Sequence, residues 1–301
     1  MESKEGIMAK LLMGKEVAEA LSGKLKLRCE ALKTEGITPT LAIVRLGENP
    51  GDISYEKGAA KRAEMIGVRV KNIILPEVTS GEELAEILQQ LNGDKDVHGV
   101  LLFRPLPKHL RSRERELCNM LCPDKDMDGM TDLSAAGVYT GSRLGYPPCT
   151  AAACMEILDH YGLPTEGKKA VVMGRSLVIG RPAALMLMHR HATVTVIHTR
   201  TEDPMAYLPH ADILICAAGA RNSVRGEMVR PGQVILDVSM NYDPEKITPK
   251  GKGGMVGDCA FAEVEPVVDA ITPVPGGVGA VTSTVLMKHV VEAAERTERE
   301  K

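Results

Sequence analysis

Short apolar runs alternate with longer amphipathic segments along this chain, and that alternation restricts it to an α/β architecture with a parallel sheet covered on both faces. An amphipathic helix is expected from Val17 to about Leu32. Thr40-Leu41-Ala42-Ile43-Val44 follows a proline and precedes a Gly-Glu-Asn-Pro-Gly turn, the pattern of a buried strand leading into a loop. Tyr55 to Ile66 reads as a helix ended by Gly67, Val68 to Leu75 as a strand, Gly81 to Leu91 as a helix and Val97 to Phe103 as a strand. The Pro- and Gly-rich stretch from Gly141 to Thr150 is the best candidate boundary between two domains, which a chain of 301 residues can accommodate.

Beyond a helix at Met155 to Tyr161 the pattern sharpens. Lys169 to Met173 is a strand that runs directly into Gly174-Arg175-Ser176-Leu177-Val178-Ile179-Gly180, with Pro182 near the start of a helical run, Ala183 to His189. Thr193 to His198, Ile213 to Ala217 and Val234 to Val238 continue as strands at a spacing that suits a Rossmann-like doubly wound sheet. A glycine turn from strand to helix leaves free N–H groups at the sheet edge, where a dinucleotide pyrophosphate binds. The spacing is Gly-x-x-x-x-x-Gly rather than Gly-x-Gly-x-x-Gly, so by itself it suits a structural turn as well as a nucleotide site. The next strand ends in His198-Thr199-Arg200-Thr201, where an NAD-selecting site normally carries Asp or Glu. Arg200 together with Arg175 favours the 2′-phosphate of NADP, with NAD possible. The other reading of Arg200 is a solvated surface residue.

With 44% hydrophobic residues, 3% aromatics and no Trp, the cores must be built from Leu, Ile, Val, Ala and Met. A net charge of -3 gives no reason to expect nucleic acid or an anionic membrane as partner, and no apolar run reaches membrane-spanning length. The N-terminus carries Glu2 and Glu5 and only a short apolar run, so it does not read as a secretory signal. The seven cysteines are odd in number and lack Cys-x-x-Cys spacing, which argues for reduced thiols in a cytoplasmic protein and against a disulfide framework or a metal site. Cys118 and Cys122, one helical turn apart, read as ordinary helix residues.

Several ordered motifs carry a resemblance. Val171 to Pro182 resembles the cofactor motif of the bifunctional methylenetetrahydrofolate dehydrogenase/cyclohydrolase family, and Pro273-Val274-Pro275-Gly276-Gly277-Val278-Gly279 is close to a signature of it. Pro123 to Gly129 is similar to its substrate-binding loop and Pro148-Cys149-Thr150 to its interdomain segment; Asp237 to Asn241 and Gly257-Asp258 fall in order. The resemblance implies two α/β domains with a cleft between them. Residues 1–147 plus 283–301 would bind folate, residues 148–282 would bind NAD(P), and the C-terminal helix (Thr284 to Arg296) would return to the first domain. It implies tetrahydrofolate derivatives as substrates and a homodimer through the cofactor domain. Asp128 matches the carboxylate that holds the pterin ring and Tyr55 the aromatic of the folate site, the two positions implied in catalysis; Pro275, Gly276 and Gly277 complete the substrate side. Gly174, Arg175, Ser176, Gly180, Thr199, Arg200, Met240 and Thr282 fall on the cofactor side.

The match breaks at two places. The family pattern Tyr-x-x-x-Lys reads Tyr55-Glu56-Lys57-Gly58-Ala59 here, and a run like Val-Gln-Leu-Pro-Leu-Pro reads Leu102-Phe103-Arg104-Pro105-Leu106-Pro107. Lys57 and Lys61 lie two positions from Ala59, turned by about 200 degrees around a helix. Arg62 is better placed but does not release its proton at neutral pH. Hydride transfer from the folate needs no protein acid or base, whereas hydrolysis of the methenyl cation needs a group that moves protons. The expectation is a dehydrogenase with weak or absent cyclohydrolase activity. The rival readings are an enzyme that keeps both activities by recruiting Glu56 or Lys57, a catalytically silent folate or nucleotide binder, and an unrelated dehydrogenase of a small acid. Smaller departures are Ala151 and Ala153 for Pro and Gly, Ser239 for Gly, and Ala280-Val281 for Pro-Met.

Overall fold

The computed structural model describes residues 8–249 and 251–299. In chain order the elements are β1 (Lys10–Leu11), α1 (Gly14–Thr34), β2 (Thr40–Leu46), α2 (Pro50–Ile66), β3 (Arg69–Leu75), α3 (Gly81–Gly93) and β4 (Gly99–Leu102). They continue with α4 (Glu114–Cys118), α5 (Asp132–Thr140), α6 (Cys149–His160), β5 (Lys169–Met173), α7 (Gly180–His189), β6 (Thr193–Ile197), β7 (Ile213–Cys216) and β8 (Val234–Asp237). A hairpin of β9 (Asn241–Thr248) and β10 (Gly251–Val256), then α8 (Phe261–Val264), β11 (Ala270–Ile271) and α9 (Thr282–Arg299), close the series. The chain divides into two compact units, one of residues 19–149 and 283–299, the other of residues 8–18 and 150–282.

The first unit is built on a parallel sheet of order β3-β2-β4. Every residue of the central strand β2 is buried, as a strand covered on both faces requires, while the edge strand β3 is largely exposed or half-buried. Ala42, Val44, Val100 and Leu102 of the sheet form one core with Leu84, Leu88 and Leu91 of α3. A capping box of Ser80 and Glu83 satisfies the first turn of α3. Helix α2 begins earlier than its apolar periodicity indicates. Asn49 accepts from the N–H groups of Gly51 (2.8 Å) and Asp52 (3.4 Å), and Pro50 stands where its missing N–H is not needed. Gly67, in the left-handed region at φ 96°, ends the helix by donating back to Ala63.

The second unit is a parallel sheet of order β1-β11-β8-β7-β5-β6. From β5 the chain first goes to β6 on one side and then to β7 on the other, so the strand order reverses beside β5. That reversal opens a crevice at the C-terminal ends of β5 and β7, the place where α/β sheets bind nucleotides. The strand β1 pairs with β11 in this sheet, Lys10 opposite Ala270, although the sequence placed these residues with the first domain. A strand of two residues carries no periodicity of its own to read.

Other differences have similar causes. The hairpin β9–β10 is polar and Gly-rich and gives no alternation signal. Helix α6 starts at Cys149, ahead of the expected Met155. Cys118 is the last residue of α4, but Cys122 lies outside that helix, ahead of a short turn at Pro123–Lys125. All seven cysteines are free thiols. No helix among the described residues is long and apolar enough to cross a membrane.

Candidate active site

In the first unit the substrate-side residues gather around the end of β4. Tyr55, on the exposed part of α2, meets the edge of Phe103 with ring centroids 5.8 Å apart. Ala59, one turn further along α2, is fully buried. Lys57 and Lys61 are exposed, and Arg62 donates to Ser22 Oγ at 3.2 Å. Glu56 is committed elsewhere: it pairs with the buried Arg45 at 2.9 Å and accepts from Asn72 at 3.1 Å.

The loop that carries Asp128 is fixed by a residue the sequence reading did not single out. Asp126, fully buried, accepts from the N–H groups of Met130 (3.0 Å) and Thr131 (2.8 Å) and from Ser134 Oγ (2.7 Å). Gly129 follows at φ 61° against the backbone of Tyr146 to Pro148, where a side chain would collide. Met127 turns into the core, and its carbonyl accepts from His289 Nδ1 at 2.9 Å and Cys149 Sγ at 3.2 Å. That bond puts the proton of a neutral His289 on Nδ1, and burial lowers the pKa of the ring to about 4. Asp128 is left facing outward with a little over a quarter of its side chain exposed, 29%, and Arg104 Nη2 at 3.5 Å. Burial pushes its carboxyl above the usual range; Arg104 opposes that shift, Asp126 adds to it, and hydrogen bonds from Cys149 oppose it. Burial likewise raises the Cys149 thiol.

In the second unit, Gly174 ends β5 at φ 119° in the crevice, where a Cβ would strike the carbonyl of Ala217 at the end of β7. A side chain on Gly180 would strike the carbonyl of Gly174. The two glycines therefore let the turn close tightly. The Ser176 hydroxyl accepts from the N–H of Ile179 at 3.1 Å and of Gly180 at 3.4 Å. Ile179, in the N-cap position, gives α7 no side-chain cap. An α-helix N-terminus of this kind suits a pyrophosphate, so the residues fit the group that the turn implies. Arg175, Thr199 and Arg200 are all exposed around it, and Met240 lies exposed after β8.

Further residues from the motifs at Asp237 to Asn241, Gly257-Asp258 and Pro273 to Gly279 complete this face. The Asp258 carboxylate accepts from the N–H groups of Ala218 (2.7 Å), Gly219 (3.2 Å) and Ala220 (2.8 Å), from Ser239 Oγ (2.8 Å) and from Asn241 Nδ2 (3.0 Å). Ser239 also accepts from Gly219 N–H at 3.0 Å, so the residue that departs from the family pattern braces the loop after β7. Asp237 holds the N–H groups of Asp258 and Cys259, and burial raises its pKa to about 6. In the Pro-Gly-Gly loop, Gly276 stands at φ 109° and its carbonyl accepts from Gly14 N–H at 2.9 Å. Side chains at Gly14 or Gly277 would collide with backbone there, and Pro275 follows a cis peptide bond. Thr282 Oγ1 donates to Gly279 O at 3.1 Å, and Met240 Sδ lies against Gly279.

A doubly wound parallel sheet with a tight glycine turn at its reversal point, on the same chain as a second α/β unit presenting a held carboxylate, is an arrangement that suits a dinucleotide-binding enzyme. The comparisons specify it further. Residues 12–128 match the tetrahydrofolate dehydrogenase/cyclohydrolase catalytic domain and residues 148–298 the NAD(P)-binding domain of the same family. The bifunctional protein FolD of Carboxydothermus hydrogenoformans is 46% identical over 288 residues, 96% of this chain and 98% of the relative. The crystal structure of the bifunctional FolD of Campylobacter jejuni superposes with a TM-score of 0.88 at 36% identity, over 96% of this chain and 99% of that one. The Trypanosoma brucei FolD, complexed with NADP cofactor and inhibitor, gives 0.88 at 31% identity over 97% of this chain and 99% of that one. The chain belongs to the tetrahydrofolate dehydrogenase/cyclohydrolase family, and is an NAD(P)-dependent oxidoreductase of folate one-carbon metabolism.

Proposed function

We propose that this chain oxidises 5,10-methylenetetrahydrofolate to 5,10-methenyltetrahydrofolate with NADP, and that it does not catalyse the hydrolysis which follows in bifunctional relatives. The observation that carries the reading is the pair Ala59 and Phe103, a buried methyl group and an aromatic edge set against Tyr55. Neither group can accept or deliver a proton. The neighbours do not fill the gap, since Lys57 and Lys61 are exposed, Arg62 is a guanidinium held to Ser22, and Glu56 is held by Arg45 and Asn72. Oxidation survives this loss because the folate nitrogens supply the electrons as the hydride leaves, and the protein needs only to position the reactants.

On the folate side Asp128 accepts from the pterin ring, Tyr55 lines the ring, and Pro275, Gly276 and Gly277 shape the rest of the substrate site. On the cofactor side Gly174 and Gly180 let the pyrophosphate approach, and Ser176, Thr199, Met240 and Thr282 line the dinucleotide. Arg175 and Arg200 take the 2′-phosphate, since the end of β6 offers guanidinium and hydroxyl groups rather than a carboxylate. Bound nicotinamide supplies the hydride acceptor. Residues 19–149 with 283–299 act as the folate domain and residues 8–18 with 150–282 as the NAD(P) domain of a cytoplasmic homodimer.

The test follows cofactor reduction by purified protein with methylenetetrahydrofolate, with NADP and NAD in separate assays, while methenyl and formyl products are quantified. Methenyl product that decays only at its spontaneous rate is the expected result. Enzyme-dependent formation of formyltetrahydrofolate would refute the single-activity reading, and the absence of any cofactor reduction would refute the dehydrogenase.

A further inference from the structure

Arg104 follows Phe103 directly at the end of β4, and the loop of Asp128 runs beside that strand: Val100 bridges Asp126 in parallel, and Met127 N–H donates to Val100 O at 3.4 Å. The strand and the loop are thus tied together four residues before Arg104 and within two residues of Asp128. Arg104 and Asp128 keep 25% and 29% of their side chains exposed, so the pair is shielded yet open to a ligand. Their separation of 3.5 Å is longer than a charge-assisted hydrogen bond, so Arg104 favours the carboxylate charge without closing a bidentate fork on it.

We propose that Arg104 is a positioning residue for the folate: it keeps Asp128 ionised and aimed while leaving lone pairs free for the two N–H groups of an aminopyrimidinone ring. This rests on the assignment of Asp128 to the pterin. The need for such a residue is visible in what else faces the carboxylate. From its own loop comes the buried Asp126, a like charge; from the start of α6 comes Cys149, through its N–H and a thiol whose pKa is raised. From α9 comes His289, neutral above pH of about 4, whose Nδ1 meets the Met127 carbonyl at 2.9 Å and the Cys149 sulfur at 3.8 Å. Arg104 is the permanent cation in that set. Burial and Asp126 push toward the neutral carboxylic acid, a form that offers one O–H donor where the ring presents donors of its own.

The experiment is steady-state dehydrogenase kinetics from pH 5 to 8 on the native enzyme and on Arg104→Leu, Arg104→Lys and Asp128→Asn, with thermal melts to establish folding. Arg104→Leu is expected to raise KM for methylenetetrahydrofolate by about tenfold or more at neutral pH. It should also move the acid limb of kcat/KM upward by at least about one pH unit, with KM for NADP unchanged. Arg104→Lys, which keeps a charge, should recover most of both effects. An unmoved acid limb and folate KM in a folded Arg104→Leu, with Asp128→Asn still impaired, would overturn the role of Arg104 alone. A lower folate KM in Arg104→Leu would also overturn it, by showing that Arg104 competes with the ring. Undisturbed folate KM in Asp128→Asn would instead remove the assignment of Asp128 on which the proposal stands.

Discussion

Phe103 meets Tyr55 edge to face, with ring planes at 87° and centroids 5.8 Å apart, one helical turn before the buried Ala59. An aromatic edge on a tyrosine adds about 0.5–1.5 kcal/mol of contact beyond area burial, so Phe103 steadies the Tyr55 ring. It also removes a hydrogen-bonding group from beside it.

Restoring the lysine, with the glutamine beside it, should therefore restore hydrolysis. The double variant Ala59→Lys/Phe103→Gln is expected to hydrolyse methenyltetrahydrofolate on the order of a hundredfold faster than the native chain, since general acid–base catalysis contributes about 10²–10⁴-fold. Each single variant should recover less. Loss of methenyl absorbance, corrected for the spontaneous rate, measures the gain; a folded double variant no faster than the native chain would locate the missing activity elsewhere.

Asp126 should matter for stability more than its solvated surroundings in the sequence suggest. Asp126→Ala strands the buried N–H of Thr131, the half-buried N–H of Met130 and the Ser134 hydroxyl, at about 1–3 kcal/mol for each buried group left without a partner. A fall in Tm of several degrees is the expected result in a thermal melt. An unchanged Tm would show that the Asp128 loop holds its shape by other means.

Gly174→Ala forces a side chain into a left-handed conformation and against the Ala217 carbonyl. Affinity for NADP, read by fluorescence titration, should fall by about tenfold or more, because the turn must open by roughly the width of the added methyl group.

Arg175 and Arg200 set the choice of coenzyme in this account. Hydrogen bonds to charged groups contribute about 1.5–3 kcal/mol, so Arg200→Ser is expected to raise KM for NADP by roughly tenfold or more while leaving KM for NAD nearly unchanged. Arg175→Ser should act in the same direction. Equal effects on the two coenzymes would place these side chains away from the 2′-phosphate.

His289 gives a pH signature. Its folded pKa is lowered to about 4, below the unfolded value of about 6.5, so the unfolded chain binds a proton that the native chain refuses. Stability from the neutral ring is fully present above about pH 6.5 and is lost as pH falls toward 4, on the order of 3 kcal/mol in all. Denaturant melts at pH 7 and pH 4.5 should show this loss in the native chain and much less of it in His289→Gln. An identical pH dependence in both proteins would assign the acid sensitivity to other groups.

The sequence by itself determined the parallel sheets, because β2, β4, β5 and β7 are continuous apolar runs that only a doubly covered sheet can bury. It also determined the glycine turn from Gly174 to Gly180 and the absence of a proton-moving side chain at positions 59 and 103. Tertiary structure decided what depends on partners distant in the chain. Asp126 and Asp258 lie in motifs that the sequence marks, but that each gathers backbone N–H groups shows only in the fold, and the hairpin β9–β10 has no apolar alternation to announce it. Nothing in Lys10-Leu11 shows that it pairs with Ala270-Ile271, nor in Arg104 that it faces Asp128. Burial patterns are periodic and local, so they survive in one dimension. Hydrogen bonds and ion pairs join groups that only the closed fold brings within about 3 Å, so they do not.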